Sequence, residues 1–325
     1  MKKINIGILG LGTVGGGTYD ILRDNRDVIR RRTGVDYEVT RILEINQKAI
    51  EAHGVDPSVV TQNVDDILSA DDIDIVVESL GGIEPSSSWM LKALENGKNV
   101  VTPNKAAVAA NYGKLKKAAE DSGVQIRIEA CVGGGIPALT AITEALAGNV
   151  FTEVMGILNG TTNYILTKMG DEGLPYDEVL KDAQAKGFAE ADPTADVEGI
   201  DVANKLSILM ALAFDQYVPP QDIPTVGITG VTMDDIAAAR DRGCKIKLIA
   251  KAAVAGDGGL SCEIRPMEIP LDHPLAGVNN EFNAIYITGN AVDEVMFYGK
   301  GAGALPTGSA IVGDIISIMR TEALK

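Results

Sequence analysis

Histidine is almost missing from this chain: His53 and His273 are the only two among 325 residues. A metal centre built on a histidine cluster and a Ser-His-Asp triad both need imidazoles that are not there. Any proton transfer therefore falls to lysine, aspartate or glutamate. Cysteine is nearly as scarce, with Cys131, Cys244 and Cys262 far apart and without CxxC spacing. That argues against a disulfide framework and against a zinc site, and fits a reducing compartment. No stretch approaches the roughly 18 consecutive apolar residues of a membrane helix. Basic residues number 29 against 45 acidic ones, a net charge of -16. Nucleic-acid binding rests on concentrated Lys and Arg, so neither nucleic acid nor membrane is expected as a partner. The opening "MKKINIGILGLG" alternates like a strand and runs straight into a glycine motif, unlike a signal peptide. A mature, cytoplasmic protein is expected.

What the chain does have is length for about two domains. Residues 3-9, "KINIGIL", alternate Ile4, Ile6 and Ile8 and enter "GLGTVGGG", giving Gly10-x-Gly12-x-x-Gly15 before a helix expected over Thr18-Arg30. Gly10 permits a tight turn, Gly12 lets backbone N-H groups approach a pyrophosphate, and Gly15 lets the helix pack on the strand. Further strands are expected over 37-45, 72-80, 99-104 and 124-132, alternating with helices. This is the rhythm of an α/β Rossmann domain. At the end of its second strand, Glu44 is the acidic residue suited to a ribose 2'-hydroxyl, which favours NAD over NADP. "ESLGG" (78-82) and "TPNK" (102-105) fall at carboxyl ends of strands, where open α/β sheets bind ligands.

Past residue 131 the rhythm breaks. "VFTEVMGILNGTTNYIL" reads as a strand, a turn at Asn159-Gly160 and a helix; helices follow over 176-186 and 199-214, and strands over 244-254, 260-269, 282-288 and 291-298. These describe an α+β domain whose alternating strands could also supply a dimer sheet. The tail "LPTGSAIVGDIISIMRTEALK" reads as an amphipathic helix able to cover the first domain. Two features hint at chemistry. "KGFAEADPTADVEGID" (186-201) crowds five carboxylates into a loop, enough to hold a positively charged group, although a solvated acidic loop has the same composition. It leads into "GIDVANKLSILM" (199-210), where Asp201 and Lys205 lie four apart among apolar residues. On a wet face such a pair is worth only a few tenths of a kcal/mol. Here the face is apolar, so the pair is not explained as a solvated surface pair.

Six segments in order, "GLGTVGGG" (10-17), "TPNK" (102-105), "EACVGGGIP" (129-137), "NGTTNYIL" (159-166), "KGFAEADPTADVEGIDVANKLSIL" (186-209) and "GKGAGALPTGSA" (299-310), resemble the homoserine dehydrogenase family along nearly the whole chain. The resemblance implies a Rossmann domain over 1-130, joined by a C-terminal helix 304-325, and an α+β substrate-binding and dimerisation domain over 131-303. It implies reduction of L-aspartate 4-semialdehyde to L-homoserine with NADH or NADPH, for threonine and methionine biosynthesis, by a homodimer. It also implies roles for single residues. Lys205 gives and takes the proton of the substrate oxygen, Asp201 supports it, Glu190 binds the substrate ammonium, and Lys105 lies between cofactor and substrate. Cofactor contacts would come from Gly10, Gly12, Thr13, Val14, Gly15, Glu44, Ser79, Leu80, Pro103, Lys105, Gly187 and Gly303. A sodium ion would be held by the Glu129 side chain and the carbonyls of Val132, Gly134 and Ile136. Many family members carry a C-terminal ACT domain or an aspartokinase fusion. This sequence stops soon after its tail helix, so threonine feedback through such a module is not expected.

Two other readings stand beside this one. An aldehyde-oxidising semialdehyde dehydrogenase would need a thiolate, and Cys131 is the one cysteine near a plausible site. A redox sensor could bind NAD without chemistry.

Overall fold

The computed structural model describes residues 3-256 and 258-322. The expected helix over 304-325 therefore has its last three positions outside the described residues. The chain divides into two compact units, one that runs to Gly135 and resumes at Ala302, and one from Ile136 to Gly301.

The first unit is built on a six-stranded sheet of β1 (Lys3–Leu9), β2 (Asp36–Leu43), β3 (Val60–Thr61), β4 (Ile75–Glu78), β5 (Asn99–Val101) and β6 (Ile126–Arg127), in the order β3-β2-β1-β4-β5-β6. All of its pairings are parallel. Ile4, Ile6 and Ile8 are buried, and so are Gly7 and Leu9 between them, as expected of a parallel strand covered on both faces. The strand order reverses between β1 and β4, which makes their carboxyl ends the ligand-binding switch point of such a sheet.

The helix expected over Thr18-Arg30 is instead two, Thr13–Asp24 and Arg26–Thr33, broken at Asn25. Its start was misjudged because three consecutive glycines, 15-17, look like a loop. They lie inside the helix because close neighbours forbid side chains there: a Cβ on Gly17 would stand 2.5 Å from the carbonyl oxygen of Ala304. The helix Ala304–Glu322 packs at that contact and sends Ile311, Ile315 and Ile318 into the core with Ile4, Ile6 and Leu22. The strand expected over 124-132 pairs only at β6 before a 3-10 turn, Glu129–Cys131.

The second unit carries a five-stranded sheet of β7 (Phe151–Ile157), β8 (Cys244–Val254), β9 (Leu260–Pro270), β10 (Phe282–Gly289) and β11 (Asp293–Lys300), in the order β11-β10-β7-β8-β9, every pairing antiparallel. Three helices, Gly160–Glu172, Tyr176–Ala185 and Ile200–Ala213, belong to the same unit. The turn expected at Asn159-Gly160 is a helix start: Asn159 is the N-cap, and its Oδ1 accepts the Thr162 N-H at 2.9 Å. Among the described residues no helix is long and apolar enough to cross a membrane.

One polar side chain in this unit is buried further than a strand position suggests. Lys247 on β8 is 1% exposed and donates to the Val278 carbonyl at 2.6 Å and to Asn163 Oδ1 at 3.0 Å. Burial, with neighbouring Lys245, pulls its pKa down to about 8. Between about pH 8 and its ordinary value of 10.5, the unfolded chain holds a proton that the folded chain has released. Stability therefore rises with pH across that window, and the penalty of the buried charge is complete below it. Denaturant melts of the parent and Lys247→Met are expected to diverge in the parent's favour from pH 8 to pH 10. A pH-independent difference would contradict this.

Candidate active site

At the switch point Gly10 adopts φ 91° and its N-H donates to the Leu43 carbonyl at 3.0 Å, so the loop turns as it leaves β1. Ser79, just past β4, donates through Oγ to the carbonyls of Leu9 and Gly10, each at 3.0 Å. Gly12 is the N-cap of the helix Thr13–Asp24 and supplies no side-chain cap, which leaves the helix's first N-H groups open to an anion. A Cβ on Gly12 would meet nothing within 4 Å. Packing does not demand that glycine, and the open space beside it has room for a phosphate group. These residues fit a dinucleotide pyrophosphate.

Glu44 closes the other side of the cradle. Its Oε2 accepts the Leu11 N-H at 2.7 Å, and its Oε1 accepts the N-H groups of Ile45 and Asn46, each at 2.8 Å. Burial opposes its ionisation, but the three N-H bonds outweigh that and hold the carboxyl below its ordinary range. Glu78, the last residue of β4, is fully buried and accepts from Thr102 Oγ1 at 2.7 Å and from the Leu80 N-H at 2.9 Å. Thr102 in turn accepts the Asn104 N-H at 2.9 Å, and Asn104 caps the helix that Lys105 opens, Lys105–Ser122. Leu80, Pro103 and Lys105 are thus fixed by buried polar bonds rather than left as loose loop. Lys105 is half-buried, not a fully solvated helix-start lysine.

In the second unit Lys205 and Asp201 are 8% and 9% exposed. Lys205 Nζ donates to Asp201 Oδ2 at 2.6 Å and to the Leu158 carbonyl at 2.6 Å. Asn159 Nδ2 donates to Asp201 Oδ2 at 3.0 Å and to Asp196 Oδ1 at 2.7 Å, bridging the two carboxylates. Burial raises the Asp196 pKa, the Asn159 bond lowers it in part, and the Asp201 charge raises it further. A strand end, a helix cap and a helix face thus converge on one ammonium. Sequence reasoning missed Asn159, although Asn ahead of a helical pattern is a capping signal. Asp196 stood among the loop carboxylates with nothing to single it out.

Family models then match both halves of the chain: homoserine dehydrogenase over residues 137–316 and homoserine dehydrogenase, NAD binding domain, over residues 10–129. The homoserine dehydrogenase of Bacillus subtilis is 42% identical over 324 residues, covering 100% of this chain and 75% of that protein. The chain belongs to the homoserine dehydrogenase family. A Mycobacterium tuberculosis homoserine dehydrogenase is 42% identical, with 99% of this chain and 74% of the relative covered. Among solved structures, a Thiobacillus denitrificans homoserine dehydrogenase superposes with a TM-score of 0.96 at 42% identity, covering 100% of this chain and 75% of that one. A hyperthermophilic archaeal homoserine dehydrogenase in complex with NADPH superposes with a TM-score of 0.83 at 28% identity, covering 98% of both chains. The chain is an NAD(P)-binding oxidoreductase of amino-acid biosynthesis that interconverts L-aspartate 4-semialdehyde and L-homoserine.

The remaining expected positions of a homoserine dehydrogenase fall as follows. Gly187 (φ 74°) and Gly303 (φ 124°) are both in the left-handed range. Glu190 is exposed, and its carbonyl accepts from Gln184 Nε2 at 3.1 Å. Glu129 and Val132 are buried, and the Glu129 N-H donates to Asp314 Oδ2 at 2.9 Å. Gly134 follows at φ 53°, and Ile136, also buried, opens the second unit.

Cys131 is buried, and its thiol donates to the Thr102 carbonyl at 3.2 Å. Burial pushes its pKa well above the ordinary thiol range, with the Asp314 charge adding to it. A thiol so held is a poor nucleophile, which removes the chemical basis of the semialdehyde-oxidising alternative.

Proposed function

We propose that Lys205 is the group that exchanges a proton with the substrate oxygen, with Asp201 orienting it. The observation that carries this is the bonding of its ammonium. Of three N-H groups, one goes to Asp201 and one to the Leu158 carbonyl, which leaves the third for a ligand oxygen. The bound nicotinamide supplies or accepts the hydride. In the reducing direction Lys205 Nζ gives its proton to the developing alkoxide; in the oxidising direction neutral Lys205 takes the hydroxyl proton of homoserine. Asp201 and the Leu158 carbonyl fix where that nitrogen points. Glu190 takes the substrate ammonium, and Lys105, which opens the helix after β5, is a further cationic candidate for ligand binding. Glu190→Gln is expected to raise the KM for homoserine at least about tenfold with kcat changed far less, because uniform binding is what it loses. An unchanged KM would remove Glu190 from the site.

We further infer NAD as the preferred cofactor, since a 2'-phosphate would meet the ionised Glu44. The absorbance at 340 nm, followed with homoserine and either NAD or NADP, tests both the reaction and the preference. The same assay with sodium replaced by potassium tests a cation at Glu129, Val132, Gly134 and Ile136. A homodimer through the second sheet is supported by β11, where Tyr298 is 52% exposed while stacked on Phe282, and by the half-buried Met296 beside it. Sedimentation velocity of the parent and Tyr298→Lys tests it. A cytoplasmic setting suits three cysteines that are all free thiols.

A further inference from the structure

The second unit contains a cavity of about 230 Å³ that no part of the dehydrogenase chemistry uses. It is lined by the C-terminal half of the helix Gly160–Glu172, by the helix Met233–Asp241 and by the first four residues of β8. Three cationic side chains line it, Arg240, Lys245 and Lys247, against one carboxylate, Asp171. Asp171 is already paired with Lys245, at 3.0 Å. Among the described residues Lys247 hydrogen-bonds only neutral oxygens, the Val278 carbonyl, Asn163 Oδ1 and, at 3.4 Å, Asn279 Oδ1, and the carboxylate whose charge reaches it is the same Asp171. A buried ammonium that must share its counter-charge with Lys245 is costly, and an anion entering the cavity would supply a second one. The apolar part of the lining comes from Leu166, Ile236 and Ile246, with Leu271 contributing at 61% exposure, and Thr167 and Cys244 also line the cavity. Bare phosphate, hydrated on every oxygen, gains nothing from that half. A carboxylate on a short aliphatic chain satisfies both. The volume, below the roughly 300–1,000 Å³ of sites for drug-sized ligands, limits the occupant to a small metabolite.

We propose that this cavity is an effector site for a small aliphatic carboxylate. The route to the active site is short and made of named bonds. Asn163, which accepts from Lys247, stands one helical turn from Asn159, the cap that bridges Asp196 to Asp201. An anion drawing on the Lys247 ammonium competes with Asn163 for it and loads the helix Gly160–Glu172, whose N-cap Asn159 bonds to Asp201. The reading goes beyond the assignment of Lys205 and does not depend on it.

Isovalerate is the probe, titrated calorimetrically into the full-length protein, with inorganic phosphate as the alternative source of negative charge. Two variants away from the catalytic machinery report on the site: Lys245→Met removes a cation, and Leu271→Glu sets an acid at an exposed lining position where folding is not at stake. Saturable isovalerate binding, weakened at least about tenfold in both variants, together with a shift in the KM for homoserine that the variants lose, supports the proposal. No saturable binding, binding indifferent to both substitutions, phosphate binding in place of isovalerate, or binding that leaves KM unchanged would each overturn it. Because heat of binding is read without turnover, a failure here is separable from a failure of the Lys205 assignment.

Discussion

Lys205→Met lowers kcat by at least about a hundredfold while the Kd for NAD(P) stays nearly constant. General acid-base help from a positioned side chain typically supplies about 10²–10⁴ in rate, and that contribution is the one lost. Methionine keeps the length and apolar body of the lysine stem, so the cavity left behind is small. Cofactor affinity is spared because the glycine cradle, Glu44 and Ser79 belong to the other unit. The variant has a second effect that must be kept apart from the first. Asp201, 9% exposed, loses the ammonium that faces it while the Asn159 bond remains. Breaking a buried pair from one side costs about 3–5 kcal/mol, because the remaining charge is uncompensated. Asp201→Asn combined with Lys205→Met removes that charge and is expected to recover most of the stability and none of the rate. Single-turnover absorbance at 340 nm, alongside a denaturant melt, separates the two. Near-normal turnover in Lys205→Met would end the assignment.

The parts of this molecule that were legible in its sequence are those in which neighbours in the chain are neighbours in function. Gly10, Gly12 and Gly15 announce a phosphate loop because the turn, the approach and the packing all fall within six residues. Asp201 and Lys205 could be paired because a helix sets residues four apart on one face. Legibility fails where the partner is distant or a signal has two meanings. β3 is only Val60–Thr61, too short for any alternation to show. The Asn-Gly at 159-160 carries a turn signature, but a helix start uses the same residue, and only tertiary structure shows Asn159 reaching Asp201, 42 positions away. Glu44 could be placed at a strand end, yet not against the Leu11 amide, 33 positions off. Lys247 alternates along β8 like any strand residue, and its burial depends on Asn163 and the segment around Val278.

A methyl group at Gly15 should abolish tight NAD(P) binding and destabilise the first unit, whereas a methyl group at Gly12 should do only the first. At Gly15 a Cβ would stand 2.5 Å from Ser79 Oγ and closer still to the carbonyl oxygen of Gly10. Neither neighbour can yield easily. Gly10 is held at φ 91° and bonded to Leu43, and Ser79 Oγ is engaged with the carbonyls of Leu9 and Gly10. Gly15→Ala therefore forces the helix Thr13–Asp24 away from β1, at a cost typical of overpacking, about 1–3 kcal/mol. It also misplaces the N-H groups meant for the pyrophosphate. At Gly12 the same Cβ meets nothing within 4 Å, and the backbone there, at φ -66°, is one that alanine adopts freely. Gly12→Ala is expected to melt at the parent's temperature and to bind NAD(P) at least about tenfold more weakly, because its methyl occupies the approach of a phosphate oxygen. Thermal melts and cofactor titrations on the two variants read these effects independently. If Gly12→Ala kept full affinity, the open space above that glycine would have another purpose, and the cradle would need a different floor.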